Sequence, residues 1–439
     1  MTTLPRRVPC ARALVPRVFA SYVFVPHVFV PHHLLMRILL AGLLCAASQL
    51  LSGCASLIGS GQPPAGMFHD QLFKPSTAAI DTSRIFAVDD AMRTYLHQEI
   101  AGTKKGTDAR QTLFNALYRR DQLKLEYDSV ITRTASETFA ARSGNCLSLA
   151  IMTAALAREL NFAVQFQLVD VGEVWSRAGN LYFSSNHVNL VLDRKRIDTS
   201  NGYALNAEQP LVVDFIQLPA AARLRAQPLT ERTVVAMFLN NRAAELLSGG
   251  QLDEAYWAAR QAIATATDFL NAYNTLGVIY QHHGDLAPAE QALRHALTGA
   301  PDNTIYLSNL AQTLENAQRP QEAALLRARL RLLEPYPPFY FYNQGQEALA
   351  RGDYGRARSL FQRELERVPD YHELHYWLAV VNYQLHDLRA AERHMQAAID
   401  SSTARDRHDL YAAKRNYLRA AATSAAGIDF KLEVVPQQQ

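Results

Sequence analysis

The chain lacks the features that would settle its function cheaply. Forty-four basic residues face 41 acidic ones, a formal net charge of +3 over 439 residues, so nothing points to nucleic acid or an anionic surface as partner. No His-Glu-x-x-His, Cys-x-x-Cys or glycine-rich phosphate loop occurs, so no metal or cofactor is expected. His282 and His283 are adjacent rather than metal-spaced. Long apolar runs are missing too: the one sustained stretch, 38–51, is short for a membrane span. Cysteine is scarce, four in the whole chain, so each one bears on the function individually.

A composition of 49% hydrophobic and 19% charged residues is globular. The length argues for two or three domains. Met36-Arg37, the apolar run and then Leu51-Ser52-Gly53-Cys54 have the layout of a secretory signal. The last four residues resemble the lipobox of bacterial lipoproteins. That resemblance implies a signal peptide over 1–53 (with Met36 favoured as its start), cleavage before Cys54, and acylation of Cys54. The chain would then be tied to the lipid bilayer of a bacterial cell envelope and face the periplasm. Ala55 after the lipidated cysteine, with no Asp there, fits the outer membrane. Residues 54–67, rich in Gly, Ser and Pro, read as a flexible tether. Cys10 and Cys45 leave with the signal and Cys54 carries lipid, so Cys146 is the one free thiol of the mature chain. In an oxidising compartment a lone thiol is a reactive site or an accident.

Residues 68–230 read as α+β. Helices are expected near 88–100 and 108–118. A short one follows Thr134 with Glu137 three residues on, a capping-box spacing, and another runs from Cys146 to about Leu160. Strands are expected over 162–171, 186–192, 196–199 and 211–215. From about Thr233 the period changes. Ala255, Ala289, Ala323, Ala357 and Ala391 recur every 34 residues. Each has Ala or Gly twelve before it (Ala243, Gly277, Ala311, Gly345, Ala379) and Thr or Pro twelve after. This is the tetratricopeptide signature: paired helices that pack closely at small residues and end at a breaker. Five repeats are expected over 236–405, then a cap helix and tail over 406–439. Asn241, Asn309 and Asn343 share one repeat position, with Thr275 and Trp377 in the other two copies. In such arrays that position faces the groove, which makes them candidates for binding peptide; Asn is also the ordinary consensus residue there. The aromatic stretch Tyr336 to Tyr342 reads as packing between repeats.

Thr134-Ala135-Ser136-Glu137, then Arg142-Ser143-Gly144-Asn145-Cys146, Asn186-His187-Val188-Asn189 and Arg196-Ile197-Asp198-Thr199 together resemble the transglutaminase-like superfamily of papain-like cysteine enzymes. His187 follows Cys146 by 41 residues and Asp198 follows His187 by 11, spacings that suit the family core. The resemblance implies a helix packed on an antiparallel sheet and a catalytic triad of Cys146, His187 and Asp198. Asp214 is a rival third member and Asp193 a poorer one. Tyr127 is a candidate oxyanion donor. Val188-Asn189 stands where the family often has an aromatic after the His. The chemical logic is general. A cysteine in the first turn of a helix sits in the positive field that favours thiolate. Imidazole has the pKa to carry its proton, and a carboxylate fixes the tautomer. The bland alternative is that Cys146 is a small core residue, His187 a half-buried histidine and Asp198 a turn former. The expected activity is peptidase or amidase action on a protein or peptide held by the repeats. The alternative is a non-catalytic envelope scaffold.

Overall fold

A computed structural model describes residues 61–76, 80–101, 108–118, 125–128, 131–178, 181–194, 210–215, 225–369, 371–402 and 405–423. The chain divides between Ser60 and Gly61 into two units, and every described residue lies in the second. The lipobox with Cys54, the other two N-terminal cysteines and Asp198 are outside the described residues.

Helices α1 (Asp90–Ala101) and α2 (Ala109–Tyr118) come first, then the two-residue strand β1 (Glu126–Tyr127). Helix α3 (Ala135–Ala141) opens on the capping box that the spacing predicts: Glu137 N–H donates to Thr134 Oγ1 and Thr134 N–H donates to the Glu137 carboxylate. It ends at Arg142 in the left-handed conformation, φ 52°. The chain then forms β2 (Ser143–Gly144), parallel to β1, and enters α4 (Cys146–Glu159). Every residue of α4 from Cys146 to Ala157 is buried, the mark of a helix enclosed all round. Its apolar side chains share a core with Met92 and Leu96 of α1, Leu113 and Leu117 of α2, and the sheet that follows.

That sheet has the order β5-β4-β3-β6 and is antiparallel throughout. Its strands are β3 (Phe162–Ala178), β4 (Leu181–Arg194), β5 (Leu211–Val213) and β6 (Ala226–Leu229). The β3–β4 hairpin is longer than the alternation suggests. Its register shifts between Val169 and Val174, and a shift of that kind breaks the period-two signal on which strand reading depends.

From Glu231 the chain is helical. The five pairs are α5 (Glu231–Ser248) with α6 (Leu252–Thr265), α7 (Leu270–His283) with α8 (Leu286–Gly299), α9 (Thr304–Asn316) with α10 (Pro320–Leu333), α11 (Tyr340–Ala350) with α12 (Tyr354–Arg367), and α13 (His372–Gln384) with α14 (Leu388–Ser401). Helix α15 (Arg405–Thr423) packs on α14. The small residues do what the period implies. A Cβ on Gly277 would stand 2.6 Å from Leu293 Cγ on the paired helix, inside van der Waals contact.

Two features of the array are not in the period. The segment 67–76 lies on the first two repeats: Met67 and Phe73 are buried in their core. Phe73 stacks on Tyr256 at 4.0 Å between centroids, and Tyr256 and Tyr280 hydroxyls bond to the 67–70 backbone and to Asp70. Second, the buried core stops at the third repeat. One small cluster joins α8, α9 and α10 through Leu293, Leu310, Leu314 and Ala323, and the next begins at Phe339. Helix α10 buries only Ala323 and leaves Leu325 and Leu332 73% and 85% exposed. The aromatic stretch packs between the fourth repeat and the fifth: Phe339 and Tyr342 share a buried cluster with Leu374 and Leu378, and Tyr342 Oη donates to the Glu373 carboxylate at 2.8 Å. Arg363 sits over the Tyr336 and Phe341 rings, and Arg367 Nη2 donates to Tyr336 O.

Candidate functional site

Cys146 is the first residue of α4 and is 7% exposed. Three neighbours fix its place. Asn145 caps the helix, its Oδ1 accepting from Ser148 N–H at 2.9 Å and from Ser148 Oγ at 2.8 Å. Gly144 leaves room for that cap: a Cβ there would lie 2.8 Å from Ser148 Cβ and 3.2 Å from Thr138 Cγ2. Asp128 N–H donates to Gly144 O, extending the short β1–β2 pairing. The backbone of Tyr127 pairs with Gly144, one residue from the cap; its side chain is outside the described residues.

His187 and Asn189 lie two apart on β4, so they share a strand face. Both are buried, at 1% and 5% exposure. Strand β5 runs beside β4 with Leu190 opposite Val213, and Asp214 is the next residue. This register puts Asp214 across from Asn189 and diagonal to His187, within cross-strand reach. Asp214 Oδ1 lies 2.7 Å from His187 Nε2, and Oδ2 accepts from Asn189 Nδ2 at 3.1 Å. Both carboxylate oxygens are therefore engaged by β4.

Burial of the imidazole lowers its pKa. The hydrogen bond to Asp214 and a further interaction with the Cys146 side chain outweigh that, and the His187 pKa is pushed up to about 9. With Nε2 held by Asp214, the nitrogen left for Cys146 is Nδ1. It is buried and has no hydrogen-bond partner at bonding distance. Thiol, imidazole and carboxylate thus lie together, with the imidazole between the other two.

The carboxylate on His187 is Asp214, one of the three acids weighed from sequence. Asp198 is outside the described residues, and Asp193 pairs with Ala163 of β3. Asn189, which in sequence marks only a departure from the family pattern, holds the Asp214 carboxylate. Its signal was its place two residues after the histidine on a strand. Of the groove candidates, Asn309 donates its Nδ2 to Asn274 Oδ1 of the preceding repeat at 2.8 Å, so its amide already ties two repeats together. Asn241 is half-buried on α5 and Asn343 exposed on α11. Trp377 Nε1 donates to Tyr342 Oη at 3.0 Å, again a link to the preceding repeat. Among the described residues, no three His, Cys, Asp or Glu side chains group as metal ligands, and no helix is long and apolar enough to cross a membrane.

Residues 342–409 match the tetratricopeptide repeat family. A TPR repeat-containing protein of Pseudomonas aeruginosa is 28% identical over 130 residues, 29% of this chain and 22% of that relative. The match thus spans about a fifth of the curated relative's length. Among solved structures, YrrB, described as a TPR protein with an unusual peptide-binding site, aligns at 21% identity. The alignment covers 41% of this chain and 92% of that one, with a TM-score of 0.23. PilF of Pseudomonas aeruginosa aligns at 18% identity over 44% of this chain and 88% of that one, TM-score 0.27. With the 34-residue period, the five helix pairs and the family match in hand, the C-terminal region is a helical solenoid of tetratricopeptide type.

Proposed function

We propose that the solenoid docks a protein or peptide partner and that the N-terminal region adds a cysteine-dependent acyl-transfer centre of transglutaminase-like type. The docking half is supported by the repeat family match. The catalytic half is carried by one observation: a single buried imidazole is engaged by both Asp214 and Cys146.

The chemistry follows from those groups. His187 accepts the thiol proton, and Cys146 Sγ attacks an amide carbonyl. The oxyanion meets the backbone N–H at the start of α4, with Tyr127 as a proposed second donor. His187 returns the proton to the leaving amine as the C–N bond breaks, leaving a thioester on Cys146. Water, deprotonated by His187, then releases the acid and restores the thiol, so the net reaction is amide hydrolysis. Asp214 holds the imidazolium, and Asn189 holds Asp214. Asn241 and Asn343 are proposed to contact the docked chain, while the Asn309 amide holds the preceding repeat. Acylation of Cys54 would place the whole on an envelope membrane facing the periplasm; Cys54→Ser should abolish incorporation of an alkyne-tagged fatty acid, and retained incorporation would remove the anchor from the account.

A second reading is a scaffold whose thiol site is idle. The observation in its favour is that the family match lies in the repeats, at 342–409. The two separate in one experiment. An iodoacetamide probe at pH 7 should label Cys146 and lose that label in His187→Ala. If the Cys146→Ala chain keeps every cellular activity of the wild type, the scaffold reading stands and the enzyme reading falls.

A further inference from the structure

The start of the Cys146 helix is tied to the first helix of the solenoid through a hydrogen-bonded relay. Glu245 lies on α5, 113 residues from its partner Thr132. Glu245 Oε1 accepts from Thr132 N–H at 2.7 Å, and its Oε2 accepts from Arg242 Nη1 at 2.6 Å. Thr132 is 2% exposed, and its Oγ1 accepts from Asn145 Nδ2 at 2.9 Å. Asn145 Oδ1 is the acceptor that caps α4. Ser148 Oγ in turn accepts from Arg133 N–H at 2.9 Å. Both ends of the Asn145 amide are thus committed, one to the helix that begins with Cys146 and one to a side chain anchored on the solenoid. An amide held at both ends cannot rotate away from its cap without stranding a buried polar group.

The repeat period singles out Glu245. Its counterparts one to four repeats on are Ile279, Thr313, Glu347 and Val381. Ile279, Thr313 and Val381 are fully buried, and Thr313 Oγ1 bonds to Gln281 of the preceding repeat, so this position faces the repeat before. The acidic copies stand in the first repeat, which has none before it, and the fourth, where the core has broken. Glu347 is 67% exposed. Glu245 is instead covered by the N-terminal region, and burial raises its pKa against the pull of Thr132 and Arg242. A half-buried carboxylate is costly unless its bonds are specific. Thr132 and Arg242 also line a cavity of about 820 Å³, bounded by Arg84, Glu137 and Phe238; a group entering it would touch the relay directly.

We infer that Glu245 is a positioning residue for Cys146: through Thr132 and Asn145, the first solenoid helix sets the helix start on which the thiol sits. This deepens the proposed thiol chemistry and rests on it for its functional meaning. The test uses the full chain and two readouts: the pH profile of Cys146 alkylation by iodoacetamide, and hydrogen exchange at the Ser148 and Leu149 amides. Glu245→Ala and Thr132→Val should each slow alkylation at pH 7 about tenfold, move the profile's midpoint and speed exchange at those amides about tenfold. Glu245→Gln, which keeps an acceptor for Thr132 N–H, and Thr132→Ser, which keeps the hydroxyl, should stay within about threefold of wild type. Changed exchange with a wild-type Cys146 that alkylates no faster than a cysteine peptide would reject the nucleophile reading and keep the positioning role. Unchanged exchange and an unchanged profile in both Glu245→Ala and Thr132→Val would overturn the positioning role itself.

Discussion

At the scale of single residues, the site depends on what surrounds one imidazole. A His187 pKa of about 9 against an ordinary 6.5 is a statement about stability as well as reactivity. The folded state holds the proton more tightly than the unfolded one. The added stability is therefore complete below about pH 6.5 and is lost as the pH rises through 9, an effect on the order of 3 kcal/mol at most. Melting temperature measured from pH 6 to 10 should fall across that window in the wild type. Asp214→Asn removes the strongest upward influence, so the His187 pKa should drop and most of that slope should vanish; an unchanged slope would detach the shift from Asp214. Gly144→Ala should cost about 1–3 kcal/mol by forcing a methyl against Ser148, read as a lowered urea midpoint. Cys146 and His187 were legible in sequence because a glycine–asparagine turn before a helix, and a histidine in an apolar strand, are local patterns. The orienting acid was not. Asp214 lies 27 residues after His187, and only strand order brings it to the ring: β5 lies beside β4 with Asp214 at its end. The bond from Asn189 to Asp214 is equally hidden in the sequence, since it runs across the sheet and not along the chain.

At the scale of elements, the period-34 pattern was the strongest signal and the helix pairs follow it. Small residues at fixed positions are a local demand of two helices in close contact, so they survive in the sequence whatever the array does next. Stacking between successive pairs is set by many weaker contacts, and the pattern does not record where it lapses. Helix α10 shows this. Its alanine sits in the right register and is buried, yet the rest of its apolar side chains find no next helix. Leu325→Lys and Leu332→Lys should each change stability by less than about 0.5 kcal/mol. Ala323→Leu, on the same helix, should cost about 1–3 kcal/mol by overpacking. Equilibrium urea denaturation of the three variants checks both statements; a large loss in either lysine variant would mean that the exposed stripe is covered in solution.

At the scale of the whole molecule, the solenoid is joined to the thiol region on one side and interrupted on the other. Val234 and Phe238 of α5 belong to the core that contains α4 and the sheet. The 67–76 segment packs on the same repeats, through Phe73, Asp70 and the Tyr256 and Tyr280 hydroxyls. Repeats one to three should therefore unfold with the N-terminal region, and repeats four and five with their cap in a separate transition, since no buried cluster crosses from α10 to α11. A single transition by both circular dichroism and tryptophan fluorescence would contradict that division. The central claim is that Cys146 is a nucleophile activated by His187 and Asp214, and the rate of its alkylation by iodoacetamide at pH 7 tests this most directly. The account predicts labelling at Cys146 at least tenfold faster than a cysteine peptide, lost in His187→Ala and reduced in Asp214→Ala. Labelling no faster than the peptide, or equally fast in all three chains, would contradict it.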